Sequence, residues 1–371
     1  MSETVRSGAE DPVDDSLVPS LGVVPASVAL AAAFVPIRGG VDDPFVWLAA
    51  AFTVVTVVAF LARRHGALEP ELGGLAAAGS SLLVVLCAGY ALNQGISGPV
   101  TVPGLEWTVS MLFLAFVAAG GSIGIAAADY AGVSPRGLIR RVLRFSTMMG
   151  LGFAGLLSMA FVSIFLFTLV TTFSGGVSEL DGQLVQYAST AIGLGSIAAV
   201  YLLWRGHDLS YLDLERPSVR SILWTVGGLV MIFGALVAIS LLMTAVGVDT
   251  AEHGTAQQAE QNPELLVVII PAMILIVGPF EELLYRNVIQ KSLYDTFSRY
   301  GAVVVTSVIF AAVHVAAYAT AGAGEVLASL MVLFGLSLVL GFVYERTDNL
   351  VVPAVVHGCF NAAQMAMIYL A

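Results

Sequence analysis

The sequence ELLVVIIPAMILIVGPFEELLYRN, at residues 264–287, decides the fold class. Between Glu264 and Glu281 it contains no charged residue, which is typical of a helix that spans a bilayer, for which about 20 residues are needed. Two adjacent glutamates and then Arg286 follow this apolar run. Ionisable groups are costly inside a bilayer and usually have a function there. The stretch therefore predicts a membrane-spanning helix that carries polar chemistry.

The composition of the whole chain is that of a membrane protein. Of its 371 residues, 58% are hydrophobic and 11% are charged, whereas soluble domains carry about 25% charged residues. We therefore predict an all-α, polytopic transmembrane helix bundle in the cell membrane, in contact with membrane lipids. The formal net charge of −11 excludes the basic surface that nucleic-acid binding requires, so we expect no nucleic-acid partner.

Apolar segments predict about eleven membrane spans. They lie at residues 19–37, 44–62, 73–93, 106–129, 147–173, 184–205, 220–246, 264–290, 301–320, 324–344 and 350–370. The first is the weakest, because Pro19, Pro25 and Pro36 interrupt it. Whether it crosses the membrane stays open at this point.

The longest polar interruption, at residues 247–263, marks the predicted domain boundary. The predicted organisation is a disordered acidic tail at 1–18, a seven-span region without a recognisable motif at 19–246, a polar external loop at 247–263 and a four-helix unit at 264–371. The sequence does not specify the role of the seven-span region or the oligomeric state.

Basic residues predict the orientation of the chain. If the spans alternate in direction, all basic residues after the first span except Arg38 fall on the same side of the membrane. They are Arg63, Arg64, Arg136, Arg140, Arg141, Arg144, Arg205, Arg216, Arg220, Arg286, Lys291, Arg299 and Arg346. Loops with an excess of Lys and Arg face the cytoplasm. We therefore predict a cytoplasmic N-terminus and an external C-terminus.

The spacing of polar residues in the eighth span predicts a pair and a separate carboxylate. Glu282 and Arg286 are four residues apart, so they lie on one helix face and can form a structural ion pair. Glu281 is rotated by about 100° from Glu282 and is free for another role. Pro279 is expected to break the hydrogen-bonding ladder of this helix and to restart the chain there.

Two later spans carry the other polar residues inside apolar segments. Phe310 and His314 share one helix face, and so do His357 and Asn361, because each pair is four residues apart. Packing or interhelical hydrogen bonds are the alternative interpretation of these side chains. Three further histidines, interpreted as solvent-exposed loop residues, are His65, His207 and His253.

These residue types can hydrolyse an amide bond without a covalent intermediate. Glu281 is a candidate general base, His314 can share the activation of a water, and His357 and Asn361 can donate hydrogen bonds to an oxyanion. Alternatively, Glu281, His314 and His357 resemble a catalytic zinc set, although Asn361 is a poor zinc ligand. Two alternative functions remain for a chain with such residues. One is proton-coupled transport, and the other is a non-catalytic membrane scaffold.

Together these residues resemble the type II CAAX prenyl endopeptidase and bacteriocin-processing (CPBP) family of membrane-embedded proteases. The family pattern is EExxxR, FxxxH and HxxxN, which correspond here to Glu281, Glu282 and Arg286, to Phe310 and His314, and to His357 and Asn361. The segment that precedes the third motif also resembles the family, with Thr347, Leu350 and Pro353 at the expected positions. Asn287 stands where the family usually has glycine. The resemblance covers about residues 262–371.

The resemblance implies an intramembrane endopeptidase that acts on membrane-associated or prenylated CAAX-type protein or peptide substrates. It implies Glu281 as the water-activating base with His314 as its partner, and His357 and Asn361 as the oxyanion donors. Glu282 and Arg286 would hold the site together. No cofactor is expected, with zinc, and thus a metalloendopeptidase, as the alternative. We expect a water-filled cavity open toward the cytoplasmic side.

Overall fold

The architecture is that of a multi-pass α-helical membrane protein, which confirms the predicted fold class. The computed structural model describes residues 12–101, 104 and 107–370. Within that part, ten helices are long and apolar enough to cross a membrane, one fewer than expected. Residues 1–11 of the predicted tail lie outside the described part, and residues 12–18 belong to the first helix.

Two compact units divide the chain, Met1–Val142 and Leu143–Ala371. The boundary therefore does not fall at the loop 247–263, where we predicted it. The physical reason is that the helices before that loop pack against those after it. The helix Val219–Val246 contacts the helices Ala323–Thr347 and Val351–Leu370.

The first unit contains a closed four-helix bundle. Its elements are α1 (Pro12–Arg38), α2 (Pro44–Arg64), α3 (Pro70–Asn93), the antiparallel strands β1 (Pro99–Thr101) and β2 (Thr108–Ser110), and α4 (Met111–Tyr130). Helix α1 packs on α2, α2 on α3, α3 on α4, and α4 on α1. The interfaces are rich in buried alanines such as Ala29, Ala77 and Ala115, and small side chains let membrane helices approach closely. The two strands were not expected from the sequence.

The second unit holds the remaining helices. They are α5 (Pro135–Ser174, which begins before the unit boundary), α6 (Glu179–Arg205), α7 (Val219–Val246), α8 (Gly254–Gln261), α9 (Leu266–Ala272), α10 (Gly278–Glu282), α11 (Lys291–Leu293), α12 (Arg299–Val313), α13 (Ala323–Thr347) and α14 (Val351–Leu370). Ser298 caps α12 by accepting a hydrogen bond from the Gly301 N–H at 3.2 Å. Gly247 ends α7 in a left-handed conformation with φ of 69°, which glycine adopts without steric cost.

Residues 266–293 form one continuous helix, the composite helix, in which α9, α10 and α11 alternate with two π-helical turns. The π turns are Met273–Val277 and Leu283–Gln290. Pro279 does not end this helix, but the α-helical hydrogen-bonding ladder is interrupted beside it as predicted: a π turn ends at Val277 and the α-helical pattern resumes at Gly278. Proline removes one hydrogen-bond donor and collides with the carbonyl four residues before it, and the wider turn directly upstream accommodates both effects. Such turns occur frequently at functional sites.

Helix α12 is shorter than the predicted span 301–320. Its 15 residues correspond to about 22 Å of helix rise, less than the roughly 30 Å of a hydrocarbon core. The chain leaves the α-helix at His314 and continues as a 3₁₀ turn, Val315–Tyr318. His314 therefore lies at a helix end and not in the middle of a span.

Two glycines let the composite helix and α14 meet backbone to backbone. A Cβ atom added to Gly278 would lie 2.6 Å from the Ala354 carbonyl oxygen and 2.8 Å from the Gly358 nitrogen. A Cβ atom added to Gly358 would lie 2.8 Å from the Cα atom of Ile274. Only glycine permits such a close crossing, and the crossing brings the two glutamates beside His357.

Candidate active site

The predicted pair of Glu282 and Arg286 is present and fully buried. The Arg286 Nε donates to Glu282 Oε2 at 2.9 Å, and both side chains are 0% exposed. Arg286 Nη2 also donates to Ser337 Oγ at 2.9 Å, and the guanidinium lies 5.3 Å from the centroid of the Phe310 ring. A buried carboxylate with these partners is held in one place, which fits a supporting role.

His357 lies between this buried pair and Glu281. Its Nδ1 lies 2.9 Å from Glu282 Oε1, and its Nε2 lies 4.0 Å from Glu281 Oε2. Because an ionised carboxylate only accepts hydrogen bonds, Nδ1 carries the proton and donates to Glu282. The Nε2 atom of His357 is therefore left to face Glu281.

His314 is oriented in the same way by its own helix. Its Nδ1 lies 2.6 Å from the carbonyl oxygen of Phe310, and a carbonyl accepts, so Nδ1 is the protonated nitrogen. Its Nε2 lies 3.6 Å from Glu281 Oε2. The Phe310 ring packs 4.3 Å from the His314 ring and 4.9 Å from the Tyr285 ring, between centroids. The F-x-x-x-H spacing is thus explained by Phe310, whose backbone carbonyl and aromatic ring both hold the His314 ring in its orientation.

The four predicted catalytic residues line one cavity of about 680 Å³. They are Glu281, His314, His357 and Asn361. The lining also includes Tyr285 and Phe310, and apolar residues such as Leu156, Met159, Leu194 and Met365. Glu282 and Arg286 lie behind the cavity wall and are not part of the lining.

His253 is a cavity residue that its sequence context does not reveal. The interpretation of it as a solvent-exposed loop residue is wrong, because it is half-buried and lines the same cavity. Its Nδ1 accepts a hydrogen bond from the Thr255 N–H at 3.1 Å, and its ring lies edge-to-face on Tyr318 at 5.1 Å between centroids. The polar sequence around His253 gave no signal that this loop folds back over the helices.

The ring of His253 is neutral near pH 7. Burial and then the nearby His314 lower the pKa of His253 to about 4, against the opposite effect of Glu281. Since Nδ1 accepts from Thr255, the neutral ring carries its proton on Nε2. His253 therefore adds a hydrogen-bond donor to the site.

The cavity adjoins the end of the second unit that lacks basic residues. The connecting segments that line it are the one between α7 and α9 and the one between α12 and α13. Neither 247–265 nor 314–322 contains Lys or Arg. The predicted orientation places these segments outside, so the predicted orientation and the expected opening toward the cytoplasmic side are incompatible with each other.

The residues proposed as zinc ligands do not form a metal site as they are placed. Tetrahedral zinc with bonds of about 2.0–2.2 Å separates two ligand atoms by roughly 3.4 Å. The Glu281–His314 distance of 3.6 Å is near this value, but the Glu281–His357 distance of 4.0 Å is longer. Among the described residues, no group of three or more His, Cys, Asp or Glu is arranged to hold a metal ion.

Comparisons with known proteins agree with the motif residues. Residues 263–363 match the family model described as Rce1-like, type II CAAX prenyl endopeptidase. The putative membrane peptidase YdiL of Bacillus subtilis (strain 168) is 29% identical over 153 residues, which cover 40% of this chain. The chain spans 56% of the length of that relative. No solved structure matches this chain significantly.

The matched segment includes every residue of the three motifs and all of α12 and α13. It also includes the composite helix and the part of α14 that carries His357 and Asn361. Residues 263–363 of this chain therefore resemble the Rce1-like, or CPBP, family of membrane peptidases.

Proposed function

We propose that the protein is an intramembrane endopeptidase in which Glu281 activates a water molecule that attacks a peptide bond. The observation that carries the proposal is the environment of the Glu281 carboxylate. Its Oε2 faces the Nε2 atoms of His314 and His357 at 3.6 and 4.0 Å. Both histidines have their Nδ1 atoms occupied by other acceptors. The two Nε2 atoms and the carboxylate are thus aimed at one region of the cavity.

Glu281 and His314 together suit one water molecule when the His314 ring is neutral. Both Glu281 Oε2 and His314 Nε2 are acceptors, and at 3.6 Å they do not hydrogen-bond directly. A water on the cavity side can donate one hydrogen to each of them, which directs its lone pair into the cavity. Polar atoms separated by more than about 3.5 Å are commonly bridged in this way.

His357 and Asn361 supply the donors for the oxyanion. Asn361 donates through its side-chain amide. His357 donates through Nε2 when the ring is an imidazolium, since Nδ1 already donates to Glu282. Preorganised donors of this kind are often the largest single contribution to catalysis of acyl transfer.

The chemical steps balance within these residues. The water oxygen bonds to the carbonyl carbon while its proton moves to Glu281, and the carbonyl oxygen becomes the oxyanion. When the oxyanion collapses, the C–N bond breaks and Glu281 returns the proton to the leaving nitrogen. The products are a carboxylic acid and an amine, and no oxidant or covalent intermediate is needed.

The experiment that tests this function compares membrane-protein termini in cells that make the wild-type chain or His314→Ala. We expect new termini with the wild type and none with the variant, because the water loses one of its two acceptors. Leu275→Ala, at a 69% exposed position on the composite helix, is the matched control and should behave as wild type. Wild-type membranes treated with a metal chelator should still produce the termini.

Any other outcome of that experiment would contradict the proposal. Identical termini with His314→Ala would contradict the assigned role of the histidine. Termini that vanish with chelator and return with zinc would replace the glutamate mechanism by its zinc-dependent version. A scaffold or a proton-coupled transporter would give no termini that depend on His314.

His253 is expected to bind substrate without taking part in the bond-breaking step. Asparagine at this position can still accept from the Thr255 N–H, but it withdraws the Nε2–H donor from the cavity. We expect His253→Asn to raise KM about fivefold with little change in kcat, since one hydrogen bond contributes about 1 kcal/mol. Steady-state kinetics on the purified protein measure this, and an unchanged KM with a reduced kcat would contradict it.

A further inference from the structure

Access to Glu281 differs between the two ends of the second unit. Toward Leu293, the polar side chains of the composite helix beyond Glu281 are packed. Glu282, Arg286, Asn287 and Gln290 are each 0% exposed. The cavity lining includes no residue of this helix beyond Tyr285. The packed side chains leave no open path along the composite helix in that direction.

A hydrogen-bonded hub around Asp213 closes this end. The Asp213 carboxylate accepts from Lys291 Nζ at 2.7 Å and from Asn287 Nδ2 at 3.2 Å. It also accepts from the Tyr344 hydroxyl at 2.5 Å, while its backbone carbonyl accepts from the Leu350 N–H at 2.7 Å. The hub therefore ties the α6–α7 connection to the composite helix, to α13 and to the start of α14. Asn287, which departs from the family pattern, is one of its members.

The opposite end is built from two connecting segments that border the cavity. The Ala251 N–H donates to the Glu325 carbonyl at 3.2 Å, and Ser329 Oγ donates to the Ala251 carbonyl at 2.8 Å. Thr320 Oγ1 donates to the Glu252 carbonyl at 2.6 Å. These few contacts fix the segments along their backbones, while Glu252 and residues of both segments still line the cavity.

The two ends also differ in charge. The packed end carries the basic residues of the second unit's connections, namely Arg205, Arg216, Arg220, Lys291, Arg299 and Arg346. The cavity end carries no Lys or Arg in 175–178, 247–265 or 314–322. It does carry acidic residues: Glu179, Asp181, Asp249, Glu252, Glu260, Glu264 and Glu325. Basic connections stay in the cytoplasm, which favours an extracytoplasmic position for the cavity end.

We propose that this peptidase takes its substrate from the extracytoplasmic face, as an internal, neutral or basic segment of a membrane or exported protein. The proposal rests on the proposed function and adds the side of access and the substrate class. Acidic residues at the cavity end attract basic side chains and repel a free C-terminal carboxylate. An internal segment therefore fits better than a cytoplasmic chain terminus.

Cysteine labelling tests the side of access without requiring activity. In a chain with Cys87→Ala and Cys359→Ala, a single cysteine is introduced as Ala316→Cys, in the cavity lining, or as Glu215→Cys, at the packed end. A membrane-impermeant maleimide is added to cells whose outer layers have been removed but whose cytoplasmic membrane is still sealed. We expect Ala316→Cys to be labelled in intact cells and Glu215→Cys only after disruption. Any other pattern for either variant would overturn the proposal.

Cleavage of peptides tests the substrate class. Matched fluorogenic peptides with lysine or glutamate beside the scissile bond are added outside sealed right-side-out vesicles that contain the wild-type protein. We expect the lysine peptide to be cleaved at least about fivefold faster, and equal rates or a preference for glutamate would overturn the proposed charge selectivity. Correct labelling without cleavage of any peptide would refute the proposed peptidase function and leave the side of access standing.

Discussion

Glu281→Gln is expected to abolish peptide cleavage while the protein still folds. Glutamine has nearly the same shape, but its amide cannot take the proton from the attacking water. General base catalysis typically contributes about 10²–10⁴-fold, so we expect a loss of kcat in that range or beyond. The measurement is the rate of peptide cleavage by purified protein at equal amounts of folded wild type and variant.

The control for this loss is Val267→Ala, which changes a 75% exposed side chain on the same composite helix. It should keep the wild-type rate. The fold of the Glu281 variant should survive because the buried ion pair uses Glu282 and not Glu281. A Glu281→Gln variant with a kcat within a factor of ten of wild type would remove Glu281 from the mechanism.

Arg286→Met is expected to lower the free energy of unfolding by about 3–5 kcal/mol, the usual cost of leaving one partner of a buried ion pair alone. Both partners are fully buried at 2.9 Å, so the remaining Glu282 carboxylate would keep only its hydrogen bond from His357 Nδ1. Thermal unfolding of the purified protein in detergent measures the change as a lower Tm.

The double variant Glu282→Met with Arg286→Met separates stability from activity. Removing both charges should restore most of the lost stability, because replacing a buried pair by apolar side chains is often neutral. Activity should stay low, since His357 Nδ1 would lose its acceptor. An Arg286→Met variant as stable as wild type would show that the pair contributes little to the fold.

Local spacing explains why much of the site could be predicted from the sequence. The pairing of Glu282 with Arg286 and the shared face of His357 and Asn361 depend only on the helical repeat, which a few residues determine. The anchoring of His314 by the carbonyl of Phe310 is local for the same reason. Ten of the eleven apolar runs predicted as spans likewise correspond to long apolar helices among the described residues, because each span needs only its own length and composition.

The features that were missed depend on contacts between distant parts of the chain. His253 lies in a polar segment, and contacts with distant residues such as Tyr318 place it at the cavity. The hub joins Asp213 to Asn287 and Lys291, each of which is more than 70 positions from Asp213 in the sequence. The early end of α12 at Val313 was missed because the apolar sequence continues past the point where the chain changes its turn.

The glycine crossing of the composite helix and α14 acts as a fixed pivot. Because main-chain atoms touch at Gly278 and Gly358, the two helices cannot approach more closely there and can tilt about this point of contact. Glu281 is three residues from the pivot, or about 4.5 Å, whereas Leu266 is about 18 Å away. A tilt of about 10° would thus displace the carboxylate by less than ~1 Å and the outer helix end by ~3 Å. The mouth of the cavity can widen to admit a chain while the reacting groups keep their spacing.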